Sequence, residues 1–398
     1  MRIAMASVLG ALLIVFAGSL VVQGNGLTPI EELGKHIFFD ENLSTPRGMS
    51  CATCHAPEVG FTGPNSDINA MQGVYPGVIR TRAGNRKPPT AAYGGESPVL
   101  YFDEDEELWL GGMFWDGRAT GWTLGDPLAE QALGPFLNRV EQNNPNARLL
   151  LIKIAQSEYA DLFEEVWEPG SLDFVNDIVG SYERVGRSIA AYERSQEVNP
   201  FSSKYDYFLA GQVDLTDQEA LGLELFEGDA MCSACHISKP GLGGEPPLFT
   251  DFSYDNLGIP KNPDNPFYDQ TRNINPAGGD WVDPGLGGFL ASAGYSYEEE
   301  LGKHKVPTLR NVDKRPYPEF VKAYGHNGYF LSLEEIVHFY NTRDVSGEGW
   351  NGIVWPPPEV PLNVNTDELG NLGLTADEEA AIVAFMKALS DGFVPDGD

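Results

Sequence analysis

All four cysteines of this sequence fall in two C-x-x-C-H runs, Cys51 to His55 and Cys232 to His236. Two thiols three residues apart on one turn can form thioethers to the two vinyl groups of a single porphyrin. The adjoining histidine then lies beneath the iron as an axial ligand. A redox dithiol has no need of a following histidine at both pairs. A structural zinc would gather all four thiolates, yet the pairs stand about 180 residues apart. The pattern predicts two covalently bound c-type haems, one at Cys51, Cys54 and His55 and one at Cys232, Cys235 and His236.

What faces each iron from the other side decides its chemistry, because a second protein ligand makes an electron carrier and an open face makes a site for peroxide or oxygen. Between His55 and His236 there is no histidine, and the methionines there are Met71, Met113 and Met231. Met71 is the alternative ligand of the first iron but lies in a glycine-rich loop, and Met231 abuts Cys232, too close to reach round the ring of the second. The first iron is therefore expected to be open. For the second, Met386 shares a helix face with Ile382, Phe385 and Leu389 and reads as core. His304 lies between lysines and reads as surface, while His326 and His338 remain as nitrogen donors. A helix opened by Ser332 and Glu335 in a capping-box pattern carries Leu333, Ile336, Val337 and Tyr340 as its buried stripe. Tyr340 then points inward and His338 roughly 160° away. A buried tyrosine needs a partner for its hydroxyl; iron is one, and ordinary core packing is the alternative.

The elements that hold these residues repeat. Thr28 to Phe38 and Thr216 to Phe226 both fit T-x-x-E-x-L-G-x-x-[I/L]-F, each opening as a capping box and leading into a C-x-x-C-H. Apolar spacing near 3.6 predicts helices over Ala147 to Val166, Asp177 to Glu193 and Asp377 to Leu389. Long Gly- and Pro-rich connections, Asn65 to Pro98 and Pro240 to Gly288, are of the length that wraps a ligand. Strand-like alternation is scarce. The expected class is all-α, with two tandem cytochrome c-like domains, 25–199 and 200–398, each around one haem. Ahead of them, residues 1–24 read as a signal peptide, with Arg2, an apolar Val8 to Val22 and small Gly24. An uncleaved anchor is the alternative, and no later segment is long and apolar enough to span a bilayer. The expected location is periplasmic.

With 58 acidic and 26 basic residues, the formal net charge is −32. Nucleic acid and anionic membrane are excluded as partners by the lack of a basic footprint. A basic electron-donor protein suits such a surface, as does plain solvation.

Beyond the haem motifs, Met113 to Ala119 resembles the F-W-D-G-R-A segment of the bacterial di-haem cytochrome c peroxidase family, which includes MauG. Glu130 to Pro135 with Val140-Glu141 resembles its E-Q-A-x-G-P and V-E motifs. Val306 to Asn311 and Gly325 to Gly328 resemble its P-T-L-R-N and H-D-G signatures. The resemblance implies that Trp115 stands between the haems, coupling them, and that Gln131 and Glu141 line the peroxide pocket over the first. Glu141 would move a proton during O–O cleavage and Gln131 would orient peroxide or water. Without that context, a solvated glutamate and a core tryptophan would be the simpler readings.

Several departures from the family pattern matter. Tyr340 stands where classical members carry methionine on the second haem, and no histidine is available to plug the first; both features resemble MauG. Anionic oxygen ligation favours higher oxidation states of iron, which implies an enzyme ready in its oxidised form. An inserted span, Thr120 to Pro127, and a longer one, Asp313 to Tyr324, break the family pattern. The family's interdomain calcium site uses an asparagine where this chain has Lys87, so calcium stays open as a cofactor and is disfavoured. The expected function is a peroxidase reducing hydrogen peroxide with electrons from a small cytochrome c or cupredoxin. The alternatives are a MauG-like enzyme oxidising Trp or Tyr of a partner protein and, third, an electron-transfer cytochrome.

Overall fold

A computed structural model describes residues 26–395; the expected signal peptide lies outside the described residues. Helices α1 (Pro29–Phe39), α2 (Ser66–Met71), α3 (Pro127–Leu137), α4 (Ala147–Ile154), α5 (Ala160–Trp167) and α6 (Ile178–Arg194) occupy the first half. The second half holds α7 (Lys204–Leu209), α8 (Asp217–Glu227), α9 (Gly285–Ala293), α10 (Leu333–Thr342) and α11 (Ala376–Lys387). Strands are few: three two-stranded antiparallel ribbons, β1 (Tyr101–Asp103) with β2 (Leu108–Leu110), β3 (Tyr254–Asp255) with β4 (His304–Lys305), and β5 (Gly349–Trp350) with β6 (Ile353–Val354). No helix among the described residues is long and apolar enough to cross a membrane.

Two large, separate apolar clusters form among the described residues, beside three smaller ones. One joins Leu33, Ile37 and Phe38 of α1 to Leu151 of α4, Phe163 of α5 and Ile189 of α6. The other joins Leu225 and Phe226 of α8 to Leu333 and Val337 of α10 and Ile382 and Phe385 of α11. The sequence repeat explains their likeness. Its capping residues start α1 and α8: Glu219 accepts from the Thr216 N–H at 2.8 Å and Thr216 from the Glu219 N–H at 3.3 Å. In α1 the Glu31 carboxylate takes both the N–H and the hydroxyl of Thr28, each at 2.7 Å.

The glycine of the repeat has a packing role. A β-carbon on Gly34 would lie 1.9 Å from the Ser188 carbonyl oxygen of α6, and one on Gly222 would lie 1.9 Å from the Ala381 carbonyl oxygen of α11. Each glycine thus lets the helix ahead of a C-x-x-C-H cross the last helix of its unit backbone to backbone. Overpacking costs about 1–3 kcal/mol, and here the obstruction is main chain that cannot rotate away. Gly34→Ala and Gly222→Ala are each expected near the top of that range, about 3 kcal/mol. Gly279→Ala, where a β-carbon meets nothing within 4 Å, should stay within about 0.5 kcal/mol. Guanidinium unfolding of the three variants measures both.

Two expectations on local structure need correction. The single helix over Ala147 to Val166 is two, because the Ser157 hydroxyl donates to the Ile154 carbonyl at 2.7 Å and Tyr159 turns to hold Asp40 at 2.7 Å. At the start of α10, Ser332 caps the Glu335 N–H at 3.1 Å, but Glu335 returns to the Leu331 N–H at 2.7 Å, so the box is not reciprocal.

Candidate functional site: two cavities joined at Trp115

Cys51–Thr53 and Cys232–Ala234 form matching single turns. In the first, the N–H groups of Cys54 and His55 return to the Cys51 carbonyl at 3.1 and 3.0 Å. In the second, the His236 N–H returns to the Cys232 carbonyl at 2.9 Å. The turn brings both thiols and the ring onto one cavity wall. His55 Nδ1 then donates to the Phe61 carbonyl at 3.1 Å and His236 Nδ1 to the Phe249 carbonyl at 2.8 Å. A carbonyl only accepts, so Nδ1 carries the proton and Nε2 keeps a lone pair, as a metal-ligating histidine requires. Burial lowers the pKa of both rings, that of His55 to about 4, which keeps them neutral.

The first cavity, about 1280 Å³, is lined by Cys51, Cys54 and His55 together with Gln131, Glu141, Trp115, Arg118 and Asn138. Gln131 comes from α3, and Glu141 from the turn after it, where its N–H bonds the Asn138 carbonyl at 3.1 Å. Burial raises the Glu141 pKa, and the charge of Arg118 and the Asn138 side chain offset this in part. No histidine besides His55 lines this cavity. Of its methionines, Met113 packs beside Leu128 and Ala129, and Met49 sits two residues before Cys51 on the attachment side. Met71 is 70% exposed and outside the cavity.

The second cavity, about 1360 Å³, is lined by Cys232, Cys235, His236, Tyr340 and Met386. Tyr340 lies on α10 with Leu333 and Val337 of the buried face. Burial raises its pKa well above the ordinary tyrosine value, and nearby Cys235 and Asp255 add to this. His338 is turned elsewhere, with Nδ1 2.9 Å from Glu379.

Trp115 lines both cavities and the space between them. Its indole N–H donates to the Lys87 carbonyl at 2.9 Å, and its own carbonyl accepts from the Lys305 N–H at 2.9 Å. A loop of the first half and a strand of the second thereby fix the ring.

Both cavities fit a haem on a further ground. Within a chain of net charge −32, their walls carry Arg86, Lys87 and Arg118 on one side and Lys305, Arg310 and Lys322 on the other. Burial lowers the pKa of Lys87 to about 8 and of Lys305 to about 7. Neither ammonium pairs with a carboxylate: Lys87 Nζ donates to the Pro88 carbonyl at 3.2 Å, and Lys305 Nζ to the Gly111 carbonyl at 2.9 Å. Unpaired buried cations call for anions, and a haem brings two propionates.

Sequence reasoning misplaced His304, expected at the surface between lysines. It is 8% exposed, because β4 pairs with β3 and turns the His304 side chain inward, leaving Lys305 half-buried beside it. Glu193 of α6 was missed. It lines the first cavity with one carboxylate oxygen unpartnered, and burial raises its pKa to about 8. The sign of it was a charged residue one position from the apolar stripe of α6. The inserted span is held by Glu130, whose carboxylate accepts from the N–H groups of Gly121, Thr123 and Leu124 at 2.7–2.8 Å. That glutamate of the E-Q-A-x-G-P motif is thus occupied in binding a loop.

The family profile "Di-haem cytochrome c peroxidase" matches residues 29–214. The methylamine utilization protein MauG of Paracoccus denitrificans is 33% identical over 389 residues, covering 96% of this chain and 93% of that protein. Cytochrome-c peroxidase IdrP2 of Denitromonas iodatirespirans is 28% identical, covering 92% of this chain and 82% of that one. Among solved structures, the di-haem peroxidase BthA of Burkholderia thailandensis E264 superposes with a TM-score of 0.74 at 31% identity, covering 94% of this chain and 89% of that chain. With two C-x-x-C-H turns, two cavities and a tryptophan lining both already in place, these likenesses show that the chain belongs to the di-haem cytochrome c peroxidase and MauG family.

Proposed function

We propose that the chain is a di-haem oxidoreductase that reduces hydrogen peroxide at the first cavity. The observation that carries this is Glu141: a half-buried carboxyl of raised pKa in the cavity of His55, which no second histidine lines. Two domains, 25–199 and 200–398, each attach one haem through their cysteines; the two separate apolar clusters support that division. A haem held by His55 supplies the iron at which peroxide is reduced. Glu141, as carboxylate, takes the proton of one peroxide oxygen and returns it to the departing oxygen, which leaves as water. Gln131 orients peroxide beside it, and Arg118 draws the carboxylate's pKa back toward the working range. Trp115 couples the cavities for the electrons. A buried ammonium repels a dication, so Lys87 argues against calcium at its position. Residues 1–24, read as a signal peptide, support a periplasmic location.

Tyr340 in the second cavity favours a second reading, in which the oxidising equivalents are passed to tryptophan or tyrosine of a partner protein. Steady-state kinetics separates the two. Added peroxide should accelerate oxidation of a reduced c-type cytochrome or cupredoxin. If no such donor responds while a partner protein gains oxidised aromatic residues, the second reading replaces the first.

A further inference from the structure

Between the two halves four buried side chains converge, two of them, His304 and His326, on the wall of the second cavity. His304 and His326 stack with centroids 3.5 Å apart and planes inclined by 9°. His304 Nε2 lies 3.3 Å from Asp283 Oδ1, and His326 Nε2 lies 3.8 Å from Glu359 Oε2. One ligand atom each from Asp283, His304 and His326 fall within 4.8 Å of one another. All are shut from solvent: Asp283 is 1%, His304 8% and His326 6% exposed, and the Glu359 side chain 3%.

Their hydrogen bonding is incomplete in a particular way. His304 Nε2, His326 Nε2 and Glu359 Oε2 have no hydrogen-bond partner. His304 Nδ1 faces the Gly302 carbonyl at 3.0 Å and must donate to it, which leaves a lone pair on Nε2 pointing at a carboxylate oxygen. Two acceptors 3.3 Å apart without a proton between them need a cation. The other oxygens are already oriented. Arg86 grips both oxygens of Asp283 at 2.6 and 2.7 Å, and Glu359 Oε1 accepts from the Asp283 N–H at 3.2 Å. Such outer contacts are what hold metal ligands in place.

We propose that Asp283, His304, His326 and Glu359 form a binding site for a divalent transition-metal ion of the zinc type. Two neutral imidazoles and two carboxylates are a borderline donor set, suited to zinc rather than calcium or magnesium. The ion would tie Asp283 ahead of α9, β4, the turn at His326 and the loop at Glu359 to Arg86 of the first half. Arg86 also pairs with Asp116, next to Trp115, so the site is a brace for the wall between the cavities.

The test uses the holoprotein, stripped with chelator, incubated with zinc(II), gel-filtered, and assayed for zinc against haem iron. Stoichiometric zinc is expected. His304→Gln and Glu359→Gln should weaken zinc binding by roughly 10–100-fold or more, while His36→Ala, an exposed histidine beside Glu32, should bind as wild type does. Wild-type protein without stoichiometric zinc overturns the proposal, as does full retention in both cluster variants. Should a variant lose its haem spectrum, zinc-edge X-ray absorption of the wild type decides. A shell with two imidazoles supports the site, and one without them overturns it.

Discussion

Glu141→Gln is expected to slow peroxide reduction by about 10²–10⁴-fold, the range spanned by a positioned proton-transfer group. Glutamine keeps the shape and one oxygen, so peroxide should still enter and its KM should change far less than kcat. The pH profile gives the independent sign. Burial raises the Glu141 pKa above the ordinary 4.5, and the reactive form is the carboxylate. The rate should therefore fall as pH drops through that raised value, an acidic limb displaced upward from an ordinary glutamate's, and the limb should vanish in Glu141→Gln. Stability has the opposite sense. A raised folded-state pKa stabilises the fold fully below the unfolded value, and that contribution is lost as pH rises through the folded one. The enzyme thus tolerates a small loss of stability at working pH to keep Glu141 ionised. Stopped-flow rates from pH 4 to 8 for both proteins measure this; an unchanged acidic limb in the variant would assign it to another group, with Glu193 the nearest alternative in that cavity.

Much of this site was legible because its chemistry is local in sequence. Two thiols and a histidine within five residues leave little choice of fold or ligand, and the T-x-x-E-x-L-G repeat announces both the helix start and the glycine that lets the helices cross. Tyr340 was legible through helical period alone, since its neighbours Leu333 and Val337 set the buried face. His304 was not. Flanking lysines ordinarily mark a solvated strand, and only the long-range placement of β4 against β3 puts Lys305 Nζ on the carbonyls of Gly111 and Phe252. The same holds for Lys87, which lines both cavities, and for Glu193, enclosed by first-cavity walls that residues far from it in sequence build. Charges that serve a cavity look in sequence like charges that serve a surface, and an acidic total of −32 gives no hint that lysines and arginines line the two cavities.

Tyr340→Met is expected to raise the potential of the second haem by an amount on the order of hundreds of millivolts, since axial ligands tune haem over about 0.8 V. As a free phenol Tyr340 is neutral at any working pH, its pKa held well above 10 by burial and by Cys235 and Asp255. Ligation demands the phenolate, so the charge of ferric iron must outweigh that burial. Part of the opposition disappears on attachment, because a cysteine in a thioether carries no charge and cannot repel the phenolate. With Tyr340 as ligand, an anion would stabilise the oxidised metal of a haem held by His236, whereas a methionine thioether would favour the reduced one. Tyr340→Phe removes the oxygen without a replacement, and should open the second haem to small external ligands such as imidazole. In both variants the spectrum of the first haem should stay as it is, because Tyr340 lines only the second cavity of the two. Potentiometry with visible and electron-spin-resonance spectra separates the two haems. Unchanged potentials and spectra in both variants would return Tyr340 to the role of a core residue on α10 and leave the second iron without the donor that sets it apart from the methionine-ligated members of its family.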